Sequence, residues 1–250
     1  MKKNSLLDNI SIVLVDTKTP ANIGAAARCM MNMGLSRLLL VNPPKDKAGE
    51  AHKLAAGAHV ILEQAAVFST LVDALGAHGL VIGTSRHSGR QRKNIRSPRA
   101  MAETVLPMLA ENRVALLFGN EVNGLEKKDL ALCHEIIAIP SSDDFASLNL
   151  SHAVMIVAYE LFLASTAHRG QAAAGALARV ADTEDFYLHL QETLQMIGFL
   201  EHDHPERMML SFRQLFGRAR LNKRDVSILR GVLSTVARVT SEGRKEGKPS

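Results

Sequence analysis

The chain of 250 residues contains few of the residue types on which several protein classes depend. Tryptophan is absent and aromatic residues make up 4% of the sequence, which argues against a protein that grips single-stranded RNA mainly by base stacking. The two cysteines, Cys29 and Cys133, are too few for a disulfide-bonded scaffold or a zinc cluster. Because free thiols are typical of a reducing compartment, we expect a cytoplasmic protein.

Long apolar runs are missing as well. No stretch of about 18 uncharged apolar residues occurs, which argues against a membrane-spanning helix. Asp8 and Asp16 interrupt the apolar residues that follow Lys3, so the N-terminal segment lacks the unbroken apolar core of a secretory signal. The 46% of hydrophobic and 22% of charged residues are typical of a globular protein, and the length suggests one large domain with a small one.

The positive charge is unevenly distributed. The net charge is +5, and residues 201–250, with 11 Lys and Arg against 6 Asp and Glu, contain the whole excess. A second basic segment interrupts the otherwise balanced part of the chain and has no acidic residue; its members are Arg86, Arg90, Arg92, Lys93, Arg96 and Arg99. Two such segments suggest a polyanionic partner such as nucleic acid, although an ordinary solvated surface has the same composition.

The first 165 residues alternate short apolar runs with helical patterns. The runs, which are rich in Leu and β-branched residues and bounded by Gly, Pro or Asn, predict buried strands at residues 10–16, 38–42, 80–83, 114–119 and 136–139. Helices are predicted between and after them, at residues 23–33, 98–109, 126–133 and 150–164, with Ser97 and Pro98 as a helix start. This alternation predicts an α/β fold whose mostly parallel sheet has helices on both faces.

The composition changes after this region. Residues 166–181 are rich in Ala and predict a linker. Residues 182–240 carry three helical stripes of apolar residues and predict a small all-helical C-terminal domain, with Asn222 as the cap of its last helix. Residues 241–250 are expected to form a flexible tail.

The common signatures of nucleotide and metal sites do not fit. No G-x-G-x-x-G follows a predicted strand, and Gly119 and Gly124 precede Leu125-Glu126 where a phosphate-binding loop needs Lys and Ser or Thr. The polar cluster around His202 and His204 has no zinc spacing, and a polar turn between helices explains it better. Ser151 precedes His152, but adjacent residues of a helix point about 100° apart, which argues against a nucleophile and base.

Three segments remain, each at the carboxyl end of a predicted strand, where open α/β sheets bind their ligands. Residues 22–28 read N-I-G-A-A-A-R, residues 119–125 read G-N-E-V-N-G-L, and residues 139–153 begin with I-P and contain S-L-N-L-S. Taken singly, each segment is also explained by turn and capping chemistry.

Together the segments resemble the SpoU/TrmH group of SPOUT RNA ribose methyltransferases, with matching order and strand context over residues 9–165. The C-terminal region, with G-F-L at residues 198–200 and I-L-R-G-V-L-S at residues 228–234, is similar to the extension of bacterial TrmJ-type enzymes. The resemblance implies a deep trefoil knot at the carboxyl end of the catalytic domain, a homodimer and methyl transfer from S-adenosylmethionine to a ribose 2′-hydroxyl. TrmJ-type members act on nucleotide 32 of tRNA.

Matching the motifs position by position implies specific roles. Arg28, Glu121, Ser147 and Asn149 are expected to be catalytic, and Asn22 to order the first motif and contact substrate with Arg90, Arg92 and Lys93. The cofactor is expected to lie against Thr84, Ser85, Arg86, Gly119, Ile139, Ala146, Ser147 and Leu148, largely through backbone groups. No metal is expected, because the sulfonium of the donor already supplies the electrophile.

The chemistry leaves alternatives open. A ribose hydroxyl is a poor nucleophile, so the protein must align the reactants and stabilise the developing alkoxide. Because a neutral arginine is costly, we interpret Arg28 as a fork on the 2′-oxygen and a neighbouring phosphate rather than as a base; its alternative is a surface arginine. Ribosomal RNA is the alternative substrate, and a non-catalytic RNA-binding factor with the same fold is the alternative function.

Overall fold

A computed structural model describes residues 6–45, 48–85, 95–142, 144, 147–167, 175–200 and 205–246. The strands are β1 (Ile10–Val15), β2 (Arg37–Val41), β3 (Ala66–Phe68), β4 (Leu80–Thr84), β5 (Ile95–Arg96), β6 (Val114–Phe118) and β7 (Glu135–Ile137). The helices are α1 (Pro20–Asn32), α2 (Ala48–Ala55), α3 (His59–Glu63), α4 (Leu71–Leu75), α5 (Pro98–Val105), α6 (Lys127–Ala131), α7 (Leu150–Ala167), α8 (Val180–Met196), α9 (Glu206–Ala219) and α10 (Lys223–Glu246).

The seven described strands form one sheet in the order β3-β2-β1-β6-β4-β7-β5, and all of their pairings are parallel. All five predicted strands are present, and the predicted parallel sheet is confirmed. The prediction omitted β3 and β5, which have three and two residues and lie at the two edges. Strands of two or three residues are too short to give a recognisable strand pattern in the sequence.

Helices cover both faces of the sheet, as the alternating directions of the β1 side chains show. Ile10, Ile12 and Leu14 join a core cluster with residues of α1, α5 and α7, whereas Val13 and Val15 join a second cluster with residues of α4. Successive side chains of a strand point to opposite faces, so a strand buried on both faces must be apolar throughout. This explains why the central strands read as continuous apolar runs.

Two predicted helix starts are confirmed in atomic detail. The Ser97 hydroxyl accepts a hydrogen bond from the backbone N–H of Ala100 at 3.3 Å, with Pro98 as the first residue of α5. The Asn222 side chain accepts from the backbone N–H groups of Arg224 and Asp225, and Asp225 accepts from Asn222 N in return.

The C-terminal region is all-helical, as predicted. Helices α8, α9 and α10 share a core in which the rings of Phe186 and Phe216 meet edge to face, 5.2 Å apart. Helix α8 begins at Val180 and α10 continues to Glu246, so helical structure extends beyond the predicted residues 182–240. An ion pair between Arg220 and Glu135 ties the region to the sheet.

Candidate functional site

A crevice of about 270 Å³ opens at the carboxyl ends of β4, β6 and β7. Its walls come from distant parts of the chain, and the residues that line it are Thr84, Ser85, Phe118, Gly119, Asn120, Glu121, Asn123, Gly124, Leu125, Leu130, Ile139, Ser147, Leu148, Leu150 and Ala153. Six residues of the predicted cofactor set are among them: Thr84, Ser85, Gly119, Ile139, Ser147 and Leu148. The other two, Arg86 and Ala146, lie outside the described residues.

The loop that follows β6 owes its shape to two glycines. A Cβ atom on Gly119 would collide with the backbone of Gly124 and Leu125, so only glycine permits this close approach. Gly124 has a φ of +71°, in the left-handed region that glycine favours. The side chain of Asn120 fixes the turn between them, because its Oδ1 accepts hydrogen bonds from Val122 N at 3.1 Å and Asn123 N at 2.8 Å.

The opposite wall is anchored to neighbouring strands. The Thr84 hydroxyl donates to the carbonyl of Leu117 at 2.9 Å, and the N–H of Ser85 donates to the carbonyl of Ile137 at the same distance. These bonds hold the end of β4 between β6 and β7. The wall of the crevice is therefore set by backbone pairing, in agreement with the small and apolar side chains found there.

Glu121 lines the crevice and is the centre of a hydrogen-bond cluster. Its carboxylate accepts from Lys18 N at 3.0 Å, Thr19 N at 3.1 Å and Asn22 Nδ2 at 2.8 Å. Burial by itself raises the pKa of Glu121, but these donors outweigh that effect and hold the pKa below its ordinary value. The ionised carboxylate therefore joins the loop after β6 to the N-terminus of α1.

Asn22 extends this cluster to the third motif. Its Oδ1 accepts from Asn149 Nδ2 at 3.0 Å, and Asn149 Oδ1 in turn accepts from Ser151 N at 2.9 Å and Ser151 Oγ at 2.7 Å. The structure thus brings Asn22, Glu121 and Asn149 together by hydrogen bonds, and Glu121 and Ser147 line the crevice.

The remaining predicted residues lie elsewhere. Arg28 is exposed on α1 and is not part of the crevice lining. Arg90, Arg92 and Lys93 lie outside the described residues. Of the same basic segment, Arg96 donates to the Thr104 hydroxyl at 3.0 Å, and Arg99 pairs with Glu160 on the protein surface.

Three contributors to the cluster were not predicted from the sequence. Two are the backbone N–H groups of Lys18 and Thr19, which precede α1 and therefore have no acceptor within the helix; α1 begins at Pro20 rather than at the predicted residue 23. The signal was Pro20 itself, since proline is common in the first turn of a helix. The third is Ser151, which was considered only as a nucleophile.

A larger groove of about 600 Å³ lies between the sheet and the C-terminal helices, and none of the predicted site residues that the structure describes lines it. Its carboxyl groups outnumber its basic groups; they belong to Asp16, Asp129, Glu184 and Glu206, against Lys128 and Arg213. Burial raises the pKa of Asp129. A mainly acidic groove is a poor surface for a polyanion, so the smaller crevice is the candidate site.

Two family models together match most of the chain. The SpoU rRNA Methylase family matches residues 9–159, and the C-terminal domain of tRNA methyltransferase TrmJ matches residues 181–245. The interval between the two matches contains nearly all of the Ala-rich segment that the sequence analysis assigned to a linker.

Curated relatives are similar over almost their full length. A Pseudomonas aeruginosa protein named tRNA (cytidine/uridine/adenosine-2′-O-)-methyltransferase TrmJ is 40% identical over 246 residues, which cover 94% of this chain and 96% of that protein. A Salmonella typhimurium protein named tRNA (cytidine/uridine-2′-O-)-methyltransferase TrmJ is 39% identical over 236 residues, covering 92% and 97% of the two chains.

Solved structures agree with the sequence matches. The crystal structure of TrmJ from Z. mobilis ZM4 has a TM-score of 0.80 and 34% identity, covering 91% of this chain and 98% of that one. The SpoU methyltransferase AviRb from Streptomyces viridochromogenes, solved in complex with AdoMet, has a TM-score of 0.53 and 19% identity, with coverage of 64% and 62%. The second similarity concerns the fold alone.

Proposed function

This chain belongs to the SpoU rRNA Methylase family and carries a TrmJ-type C-terminal domain, and from this premise we propose that it transfers a methyl group from S-adenosylmethionine to a ribose 2′-hydroxyl of tRNA. The observation that carries the proposal is the crevice at the carboxyl edge of the sheet, which residues of the second and third motifs line and to which Asn22 of the first motif is joined through its hydrogen bond with Glu121. The target we propose is nucleotide 32 of the anticodon loop, in a cytoplasmic enzyme. The deep trefoil knot of the family is part of the same proposal.

The crevice has the chemistry that S-adenosylmethionine requires. Leu125, Leu130 and Ile139 offer an apolar surface for an adenine ring, and backbone groups near Thr84 and Ser147 offer hydrogen bonds to the polar parts of the molecule. When bound, the cofactor supplies a methyl group already activated by a sulfonium. The protein has then to position the ribose hydroxyl and exclude water.

We assign that task to Arg28 together with the cluster around Glu121. Arg28 is exposed, and no carboxylate among the described residues forms an ion pair with it, so its guanidinium is available to bind RNA. Its planar fork suits two oxygens, those of the ribose and of a neighbouring phosphate. Lysine keeps the charge and loses the fork, so Arg28→Lys should lower turnover at least about tenfold. Turnover near that of the wild type would contradict this role.

A homodimer explains the apolar residues that are exposed on α7 and on α1, the helix that carries Arg28. Tyr159, Phe162 and Leu163 of α7 are 48%, 37% and 38% exposed, and Met31, one turn after Arg28 on the packed helix α1, is 43% exposed. Such a stripe on neighbouring helices is typical of a subunit interface.

Among the residues that the structure describes, α7 is also long and apolar enough to cross a membrane. Length and composition alone are weak evidence for a membrane span, because the core helices of soluble proteins pass the same test.

The dimer can be tested in solution. We expect wild-type protein to elute at about twice the mass of the 27.1 kDa chain, measured by light scattering. Phe162→Glu should shift the protein toward a monomer, and Leu188→Glu, a matched change at an exposed apolar residue of α8, should not. A monomeric wild-type protein would contradict the homodimer.

The C-terminal helices offer the tRNA a basic surface. Arg218, Arg224 and Arg230 are exposed on α9 and α10. Replacing all three with Gln should weaken tRNA binding and lower the slope of log affinity against log salt by up to about three units. An unchanged slope would show that the phosphates bind elsewhere.

One experiment tests the function itself. Ribose methylation is mapped on total RNA from cells with and without the gene, and purified protein is assayed with tRNA and with ribosomal RNA. We expect one site, nucleotide 32 of tRNA, to lose its methyl group. If methyl groups are lost from ribosomal RNA instead, ribosomal RNA is the substrate. If no methyl group is lost and S-adenosylhomocysteine does not raise the thermal stability of the protein, a non-catalytic RNA-binding factor is favoured.

A further inference from the structure

The cluster that links the three motifs is a chain of hydrogen bonds with a single direction. It runs from Ser151 to Asn149, from Asn149 to Asn22 and from Asn22 to Glu121, with donor–acceptor distances between 2.7 and 3.0 Å. Ser151 lies on α7 and Asn149 immediately before it, Asn22 lies in the first turn of α1, and Glu121 lies in the loop after β6. Four side chains from three separate motifs are therefore connected.

Both ends of the chain impose the same direction. An ionised carboxylate only accepts hydrogen bonds, so Asn22 must present its NH₂ group to Glu121 and its carbonyl to Asn149. Asn149 must then present its own NH₂ group to Asn22 and its carbonyl to Ser151. The backbone N–H of Ser151 only donates, so the far end requires the same arrangement.

We propose that the direction of this chain fixes the N-terminus of α1, the helix that carries Arg28, relative to the loop after β6 and the start of α7, so that Glu121, Asn149 and Ser151 act as positioning residues. The inference rests on the proposed methyl transfer and changes the expected roles of Glu121 and Asn149. The Glu121 carboxylate is already occupied by three donors, which leaves it little capacity to take a proton from a substrate. What matters in each residue is then its pattern of donors and acceptors.

A single substitution reverses one link without removing a helix cap. In Asn149→Asp one oxygen still accepts from Ser151, and aspartate is as good an N-cap as asparagine. The other oxygen faces the carbonyl of Asn22, and turning the Asn22 amide over would bring that carbonyl against Glu121 instead. We expect turnover to fall at least about tenfold, with little change in the Michaelis constant for S-adenosylmethionine.

A second substitution restores the pairing in the opposite direction. With Glu121→Gln added to Asn149→Asp, the new NH₂ group can donate to the carbonyl of Asn22. The NH₂ group of Asn22 then donates to the carboxylate introduced at position 149. The double variant gives up one bond from Thr19, so recovery is partial.

The two changes form a double-mutant cycle. Glu121→Gln alone should cost about threefold in turnover, because one backbone N–H loses its acceptor. Independent effects would multiply to at least about thirtyfold in the double variant, whereas a directional chain returns it to about the level of Glu121→Gln alone. A double variant no more active than Asn149→Asp would overturn the proposal, because the second change would then fail to compensate for the first.

Two serines of α7 provide a matched comparison. Ser151→Ala removes one donor to Asn149 but keeps the backbone N–H, so turnover should fall about threefold. Ser165→Ala removes a hydroxyl that donates to the Phe162 carbonyl of the same helix, and turnover should not change. Equal behaviour of the two variants would remove Ser151 from the chain.

A readout without RNA separates this inference from the proposed function. The same cycle is measured in the free energy of urea unfolding and in affinity for S-adenosylhomocysteine. The wild type and its variants should show the same non-additive pattern in unfolding, with the double variant more stable than Asn149→Asp. Should the wild type methylate no RNA, the proposed function fails; additive unfolding energies would overturn the directional chain whatever the activity.

Discussion

The sheet domain and the C-terminal helices bury their apolar residues in different ways. All five residues of β6 are buried, because helices from the same chain cover both faces of the sheet. In the 24-residue helix α10 only Val226 and Leu233 are buried among the described side chains, while Ile228 and Val232 are more than half exposed. The sheet domain therefore supplies its own core, and the helices form a thin, charged layer beside it.

Among the substitutions considered, one in the loop after β6 that shapes the crevice should have the largest effect, a loss of methyl-transfer activity. In Gly119→Ala the new Cβ collides with backbone atoms of Gly124 and Leu125, which cannot move aside as a flexible side chain can. A displacement of about 1 Å at the site is enough to lower methyl transfer about a hundredfold. Activity and S-adenosylhomocysteine affinity are measured together, with far-ultraviolet circular dichroism as the control for folding. Near wild-type affinity would show that the loop does not shape the binding site.

Matched core truncations compare the two regions directly. Leu116 is fully buried in the centre of β6, and Leu233 is 9% exposed on α10. We expect Leu116→Ala to lower the free energy of unfolding by about 4 kcal/mol and Leu233→Ala by about 2 kcal/mol, because the helical layer can close around a small cavity more readily. Urea denaturation monitored by circular dichroism gives both values. Equal losses would mean that the helical layer is as tightly packed as the sheet.

Acid should weaken the junction between the regions. His78, whose carbonyl accepts from Val180 N at 2.8 Å, and His134, which packs beside Gly217, both lie there. Burial lowers the pKa of both imidazoles below the ordinary value of 6.5. The unfolded chain then binds more protons than the folded one below pH 6.5, so stability is complete above that pH and falls as the pH decreases.

Between pH 6.5 and the lowered pKa of each folded-state imidazole, the free energy of unfolding should fall by about 1 kcal/mol per histidine for each pH unit. Unfolding curves at several pH values measure this loss. His134→Asn is the control, because its amide oxygen can still accept from Val81 N at the place of Nδ1 but does not titrate. That variant should show about half of the pH dependence. A slope equal to that of the wild type would remove His134 from the effect.

The smallest effect should be a gain in the helical layer. A Cβ atom on Gly231 meets nothing within 4 Å, and the residue is exposed in the interior of α10. Gly231→Ala should therefore raise the free energy of unfolding by about 0.5–1 kcal/mol, because alanine loses less backbone entropy in a helix. Thermal unfolding measures the change, and a destabilised variant would indicate that this face of α10 contacts a partner.

The elements that the sequence predicted well are those with strong local signals. Strands such as β1 and β6 are continuous apolar runs, and α5 has both its Ser97 cap and Pro98. The helices α2, α3 and α4 and the edge strands β3 and β5 were not predicted; α3, α4 and the two strands have only two to five residues, whereas α2 has eight. The start of α1 was placed three residues late, although Pro20 marks it.

The sequence motifs named several residues of the candidate site, but they did not indicate the hydrogen bonds between those residues. Motif matching named Asn22, Glu121 and Asn149 among the site residues, and the structure joins these three by hydrogen bonds. Nothing in the local pattern indicated that Glu121 binds the backbone of Lys18 and Thr19, more than 100 residues away in sequence. The roles of Arg28, Ser147 and the basic segment around Arg92 stay predictions.

The sequence alone determined the alternation of strands and helices, the all-helical C-terminal region and the three motifs, because periodicity, caps and glycine turns are encoded within a few residues. Only the tertiary structure decided which strands are neighbours and how the motif side chains face one another. Hydrogen bonds between distant residues depend on distances of a few tenths of an ångström and on the direction of each donor, and such geometry arises only when the whole sheet packs.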